Sequence, residues 1–365
     1  MMKLDENFLG SMHEAMNVLR TRGPAEATKV IQRVLQGGAA DGEYETASRH
    51  EAPVSPFARN GNRDVAPHTA RDGKLDADIE DRGHFSTHAY SNTAGSRQYR
   101  LYVPARAAGQ PLPLIVMLHG CTQNADDFAV GTQMNALAEQ HRCLVAYPVQ
   151  PKHANPSKCW NWFKPDDQHR ERGEPSLIAG ITRDIIAAHD VDPARVYIAG
   201  MSAGGAMAAI MIATYPELYA AAGIHSGLPA GCAHDLPSAL AAMKGGKRHG
   251  RRHHAHSDQR APRRPIIVFH GDADATVNIA NAAQLVQGFE PRRGGDAPRR
   301  VEASRRSCTV ASLVSSDGID AELWTVHGAP HAWSGGDTRG SYTDPTGPDA
   351  SAEMLRFFLA HPKQG

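Results

Sequence analysis

The 365-residue chain carries 39 basic and 39 acidic residues, a formal net charge of zero, and 41% hydrophobic residues. That size and apolar content support one large domain with extensions or two smaller ones, and the charge balance argues against a general nucleic-acid binder, which would carry a basic surface. No run of eighteen apolar residues occurs, so no transmembrane segment is expected, and five scattered cysteines (Cys121, Cys143, Cys159, Cys232 and Cys308) without a CxxC pair argue against a structural zinc site.

The N-terminus, Met1 to Asn7, is acidic and lacks the basic start and apolar core of a secretory signal. Residues 1–36 read as an amphipathic helical extension. Phe8, Leu9, Met12, Met16 and Leu19 recur at helical spacing, Gly23-Pro24 breaks the run, and Val30, Ile31, Val34 and Leu35 resume it. Packing on the main domain is its plain role; contact with a polymer or membrane surface is the alternative. Residues 37–83, rich in Gly, Asp, Arg and Pro, read as a flexible linker.

A domain over residues 84–362 then alternates strand and helix. Gln98–Val103 alternates like a half-buried strand. Leu114–Leu118 is a short continuous apolar run, as expected for a strand covered on both faces. A helix over Phe128–His141, a strand over Cys143–Tyr147, a helix over Leu177–His189, a strand over Arg195–Ala199 and a helix over Gly204–Tyr215 follow. Strands at Ile266–Phe269 and Glu322–Val326 and a helix at Ser351–Leu359 close the pattern, which predicts an α/β fold with a mostly parallel sheet. The basic, histidine-rich stretch 244–264 and the shorter 291–300 read as solvated insertions.

Chemistry concentrates at Gly200-Met201-Ser202-Ala203-Gly204. A G-x-S-x-G pattern after a strand and before a helix of small residues has the context of a nucleophile elbow, with Ser202 as the nucleophile. A serine hydroxyl needs a base. His331, after the strand Glu322–Val326, is the candidate, and His327 is its rival. The base needs an acid to hold it. Asp274, after the strand Ile266–Phe269, is favoured over Asp272, which is left to cap the turn. The order Ser, Asp, His is that of α/β-hydrolases. Oxyanion donors are assigned to the main-chain N–H groups of Ala203 and Cys121, the latter in His119-Gly120-Cys121-Thr122 after an early strand. Cys159-Trp160-Asn161-Trp162-Phe163 is an aromatic cluster for either the core or a pocket wall, and Trp333 is a second candidate for lining that pocket.

Together, His119-Gly120-Cys121-Thr122-Gln123, Cys159-Trp160, the Gly200–Gly205 elbow, His225-Ser226-Gly227, the Asp274 loop and His331-Ala332-Trp333 resemble the esterase family of polyhydroxybutyrate (PHB) depolymerases, which includes feruloyl and acetylxylan esterase-like members. The resemblance covers roughly residues 84–360. It implies an α/β-hydrolase fold with helices on both faces of the sheet, and a triad of Ser202, Asp274 and His331. It also implies a Cys121–Cys159 disulfide beside the active site and substrate contact by Trp160. The expected activity is hydrolysis of carboxylic esters through an acyl-enzyme, with no metal or organic cofactor. Short-chain poly(3-hydroxybutyrate) or its oligomers are the favoured substrates, and feruloyl or acetyl esters of polysaccharide the alternative. The resemblance implies an extracellular enzyme, whereas the missing signal pattern leaves the cytoplasm as the other location. A non-catalytic protein that coats polymer granules through its N-terminal helices is the competing class, against which an intact triad argues.

Overall fold

The computed structural model describes residues 83–105, 109–245, 263–292, 299–303 and 305–364. The expected helical extension 1–36, the linker 37–83 apart from Gly83, and most of the two basic insertions lie outside the described residues.

Among the described residues, the central sheet has eleven strands. In chain order these are β1 (His84–Asn92), β2 (Gly95–Val103), β3 (Leu112–Leu118), β4 (Leu144–Pro148), β5 (Val191–Met201), β6 (Ala221–His225), β7 (Ile266–Gly271), β8 (Phe289–Pro291), β9 (Arg299–Ala303), β10 (Arg306–Ser315) and β11 (Asp320–Val326). The spatial order is β1-β2-β4-β3-β5-β6-β7-β11-β10-β8, with β9 on β10. The run β4-β3-β5-β6-β7-β11 is parallel throughout, and antiparallel pairs flank it at both ends.

Every residue of β3, β4, β6 and β7 is buried, which is why Leu114–Leu118 reads as a continuous apolar run. Alternation distributes these side chains to two layers. Leu114, Val116 and Ile198 pack with Ile178, Ile181, Met207 and Met211, from the helices α3 (Gly173–Ala188) and α4 (Ala203–Thr214). Ile115, Met117 and Tyr197 pack on the other side with Phe128, Met134, Met354 and Phe358, from α1 (Ala125–Thr132), α2 (Met134–His141) and α7 (Ala350–Ala360). Two short helices, α5 (Leu236–Met243) and α6 (Ala280–Leu285), are the other α-helices among the described residues. The α/β architecture with helices on both faces is the one expected from the sequence; the parallel order expected of the sheet holds for its central run, while the antiparallel pairs at both ends make the whole sheet mixed.

Two local expectations change. The single helix over Phe128–His141 is two helices, because Gln133 turns into the left-handed region at φ 53° and its N–H closes the first helix on Ala129 O. Strands β1, β6, β8, β9 and β10 lie outside the expected set. In β6, Ala-Ala-Gly-Ile-His has little intrinsic strand preference; its position between β5 and β7 makes it a strand. Four strands, β8 to β11, lie in sequence between Asp274 and His331. Even so, β11 lies beside β7 in parallel, from Ala321 opposite Ile266 to Val326 opposite Gly271. The loops after β7 and β11 therefore leave the sheet at the same edge.

Candidate active site

Ser202 joins β5 to α4 with φ 56° and ψ −119°, a conformation that costs a non-glycine residue of order 1–3 kcal/mol and persists only when its surroundings impose it. Its N–H donates to His225 O at 2.9 Å, and its carbonyl accepts the Ala206 N–H at 2.9 Å. The flanking glycines are required by close approach. A Cβ on Gly200 would lie 2.4 Å from Gly204 O, and one on Gly204 would lie 2.0 Å from Leu118 O. The turn is thus pressed against the end of β3. The serine remains half-buried while Met201 and Ala203 are buried.

At the same sheet edge, Asp274 Oδ2 accepts from His331 Nδ1 at 2.7 Å. Its Oδ1 accepts the N–H groups of Thr276 and Val277, each at 2.8 Å. The Asp274 side chain is fully buried and that of His331 is 12% exposed. Burial opposes ionisation of Asp274. The His331 hydrogen bond and charge, the Val277 N–H and the nearby His270 outweigh it and hold the carboxyl below its ordinary range. An imidazole whose Nδ1 proton is tied to such a carboxylate presents Nε2 as a proton acceptor.

The rivals Asp272 and His327 also pair, at 2.8 Å, but with side chains 38% and 36% exposed. His327 Nε2 lies 2.8 Å from Thr309 Oγ1, so both of its ring nitrogens are engaged.

The loop after β3 reaches the serine. A Cβ on Gly120 would stand 3.7 Å from Ser202 Cβ. His119 is buried, donates from Nδ1 to Gly120 O at 2.8 Å and accepts the Gln150 N–H at Nε2 at 3.1 Å. Burial holds its imidazole neutral, with a pKa of about 4. Gln123 Oε1 accepts the Gly120 N–H at 2.9 Å. Cys121 and Cys159 form a disulfide, which ties this loop to the aromatic cluster.

Trp160 and Trp333, expected at the substrate pocket, lie in the core with 0% and 1% exposure. Their rings have no free surface to offer a ligand, and each supports a loop instead. Trp160 Nε1 donates to His119 O at 3.1 Å, and Trp333 Nε1 to Ser351 Oγ at 3.0 Å.

Sequence reasoning missed a polar hub beneath the disulfide. Glu174, 2% exposed, accepts the N–H and Nδ2 of Asn161 at 2.7 Å each, Gln150 Nε2, and Arg97 Nη2 at 3.4 Å. Gln150 Nε2 also donates to Cys159 O at 2.9 Å. Burial, reinforced by Asp167, raises the Glu174 pKa against the hydrogen bonds from Asn161 and Gln150. In the sequence Glu174 is an ordinary acidic residue just ahead of the helix expected over Leu177–His189, and only the structure extends that helix back to Gly173. Among the described residues, no group of three His, Cys, Asp or Glu side chains is placed to hold a metal ion, and no helix is long and apolar enough to cross a membrane.

The family model described as esterase PHB depolymerase matches residues 97–306. The poly(3-hydroxyalkanoate) depolymerase C of Paucimonas lemoignei is 33% identical over 256 residues, covering 66% of this chain and 60% of that protein. The feruloyl esterase B of Neurospora crassa is 37% identical over 143 residues, covering 39% of this chain and 47% of that protein. The chain thus spans less than two thirds of each of these relatives. Among solved structures, an acetyl xylan esterase from Aspergillus awamori superimposes with a TM-score of 0.54 at 21% identity, over 75% of this chain and 99% of that one. That likeness bears on the fold, which is the α/β-hydrolase fold. With more than half of its length matched by the family model, the chain belongs to the PHB depolymerase family of esterases.

Proposed function

We propose that this protein is a serine esterase that hydrolyses carboxylic esters through an acyl-enzyme on Ser202. The observation that carries the reading is the 2.7 Å hydrogen bond from His331 to the buried Asp274, at the sheet edge where the strained Ser202 turn emerges. Ser202 Oγ attacks the ester carbonyl while His331 Nε2 takes its proton. The negative charge that develops on the carbonyl oxygen is met by the N–H groups of Cys121 and Ala203. His331 returns the proton to the departing alcohol. A water molecule, deprotonated by the same imidazole, then attacks the acyl-enzyme, and the acid leaves with Ser202 restored. Trp160 and Trp333 serve this site as supports for the loops that carry Cys121 and His331.

Poly(3-hydroxybutyrate) or its short oligomers are the favoured substrates, supported by family membership and by the depolymerase relative. Esters on polysaccharide are the second reading, supported by the feruloyl esterase relative. The Cys121–Cys159 bridge favours action in an oxidising compartment, consistent with an extracellular enzyme. Replacing Ser202 by Ala tests the nucleophile: turnover of p-nitrophenyl butyrate should fall by several orders of magnitude, and retention of wild-type turnover refutes the reading. Parallel assays on amorphous poly(3-hydroxybutyrate), its oligomers, methyl ferulate and acetylated xylan rank the substrates. Faster turnover of the last two would transfer the substrate assignment to polysaccharide esters.

A further inference from the structure

His225 is used by none of the chemistry above, yet it touches both arms of the proposed triad. It ends β6, and its main-chain carbonyl accepts the Ser202 N–H at 2.9 Å. Its side-chain Nε2 accepts the main-chain N–H of Ser334, three residues past His331, at 3.0 Å. A peptide N–H can only donate, so Nε2 carries no proton and the ring proton sits on Nδ1, facing Ser226 Oγ at 3.2 Å. The residue is 1% exposed. Its ring stacks on Trp333, with centroids 5.0 Å apart and planes at 24°, and on Phe269, at 5.9 Å and 10°.

We propose that His225 is a positioning residue that holds the His331 loop in register with the Ser202 turn, binding the Ser334 N–H through its side chain and the Ser202 N–H through its main chain. The inference rests on the serine-esterase reading. His331 is anchored on its own side chain by Asp274, and upstream its loop is tied to the loop after β7 by the Ala273 N–H donating to Ala329 O at 3.2 Å and the Gly328 N–H donating to Asp272 Oδ1 at 2.6 Å. Downstream, Trp333 N–H donates to Tyr342 O at 2.6 Å and Ser334 Oγ to Pro348 O at 2.7 Å. These contacts tie the loop to its own neighbours, whereas His225 ties it to the strand beside the serine. A base must come within about 2.6–3.2 Å of the hydroxyl it deprotonates, and a misplacement of about 1 Å can cost about a hundredfold in rate. A protonated His225 would have no lone pair for Ser334. Burial, together with His270 and His331, depresses its pKa to about 3, with Asp274 pulling the other way, so the acceptor persists in mildly acidic solution.

Two variants isolate the acceptor. His225→Phe keeps an aromatic ring between Trp333 and Phe269 but cannot accept the Ser334 N–H; His225→Gln returns a carbonyl oxygen at similar reach. With active sites counted by fluorophosphonate titration, His225→Phe should lower kcat for p-nitrophenyl butyrate about a hundredfold with little change in KM, and His225→Gln should recover most of that loss. A merely structural histidine would reduce the number of titratable sites or the thermal midpoint and leave kcat per site alone; that result, or near-wild-type kcat per site in His225→Phe, overturns the proposal. Ser202→Ala separates the two levels. If it stays active, the esterase reading itself fails; if it is inert while His225→Phe is fully active, the positioning role alone fails. Should His225→Phe not fold, the ring 15N shifts of the wild-type protein decide. The neutral Nδ1–H tautomer is expected at pH 6, and a protonated Nε2 there refutes the proposal.

Discussion

Asp272 accepts the Nδ1 proton of His327 at 2.8 Å, and its other oxygen takes the Gly328 N–H at 2.6 Å. The two residues that compete with Asp274 and His331 for catalytic roles therefore occupy each other. Depth separates the pairs. Water screens the Asp272–His327 pair, and such exposed pairs contribute at most about 1 kcal/mol to stability. Asp274 is fully buried and its partner nearly so, where a fixed carboxylate can stabilise a developing imidazolium.

That difference sets an expected contrast between two neighbouring aspartates. Asp274→Asn should lower kcat for p-nitrophenyl butyrate by about 10³–10⁴-fold, and Asp272→Asn should change it by less than about tenfold. An equal or larger loss in the Asp272 variant would move the acid's role to that residue.

Buried neutral histidines make stability depend on pH. The folded-state pKa of His119 is depressed to about 4 and that of His225 to about 3, in both cases chiefly by burial, from an ordinary 6.5. The unfolded chain takes up these protons below about pH 6.5 while the native state does not. Stability is therefore fully present above that pH and falls as pH drops towards the folded values, at about 1.4 kcal/mol per pH unit for each histidine. The depressed carboxyl of Asp274 acts in the same direction, but its share is lost below about pH 4. Urea unfolding at pH 7 and pH 5 measures the histidine part. Equal stability at the two values would mean that these imidazoles are not held neutral.

Glu174→Ala should destabilise the fold by about 3–5 kcal/mol, because it leaves Arg97 as an unpaired charge in the interior; the two side chains are 3% and 7% exposed. Glu174→Gln, which retains a carbonyl acceptor for Asn161, should cost less. Chemical denaturation of the two variants tests this. A cost below about 1 kcal/mol for alanine would remove the hub from the account of how the Cys159–Asn161 segment is held.

Reducing the Cys121–Cys159 bridge releases a loop with a sequence separation of 38 residues, and loop-closure entropy puts the loss at up to about 4 kcal/mol. Thermal midpoints with and without reductant, and for Cys159→Ser, should fall together. Reduction should leave more activity than Ser202→Ala does, because Trp160 and Gln123 still bind the His119–Gly120 backbone. Activity as low as that of the serine variant would make the covalent tie indispensable to the oxyanion loop.

Patterns confined to a few neighbouring residues were readable before any coordinates. Leu114–Leu118 reads as a buried strand because both faces of a central parallel strand are covered. The glycines around Ser202 read as a tight strand-to-helix turn because the backbone of Leu118 and Gly204 leaves no room for a Cβ. Strand β6 escaped notice because Ala-Ala-Gly-Ile-His carries little local signal; pairing with β5 and β7 decides it. The break at Gln133 likewise depends on how the first helix is closed and not on its hydrophobic spacing.

The kinds of chemistry available, a serine on a sharp turn with carboxylate and imidazole on later loops, were determined by the sequence alone, since residue type and local backbone requirement are properties of short segments. Tertiary structure decided which carboxylate meets which imidazole, that Trp160 and Trp333 are supports and not pocket walls, and that Glu174 and His225 anchor loops distant from them in the chain. Those outcomes turn on depth and on hydrogen bonds between segments such as 225 and 334 or 161 and 174. Burial and long-range pairing belong to the folded arrangement of strands and loops, and no short stretch of residues encodes them.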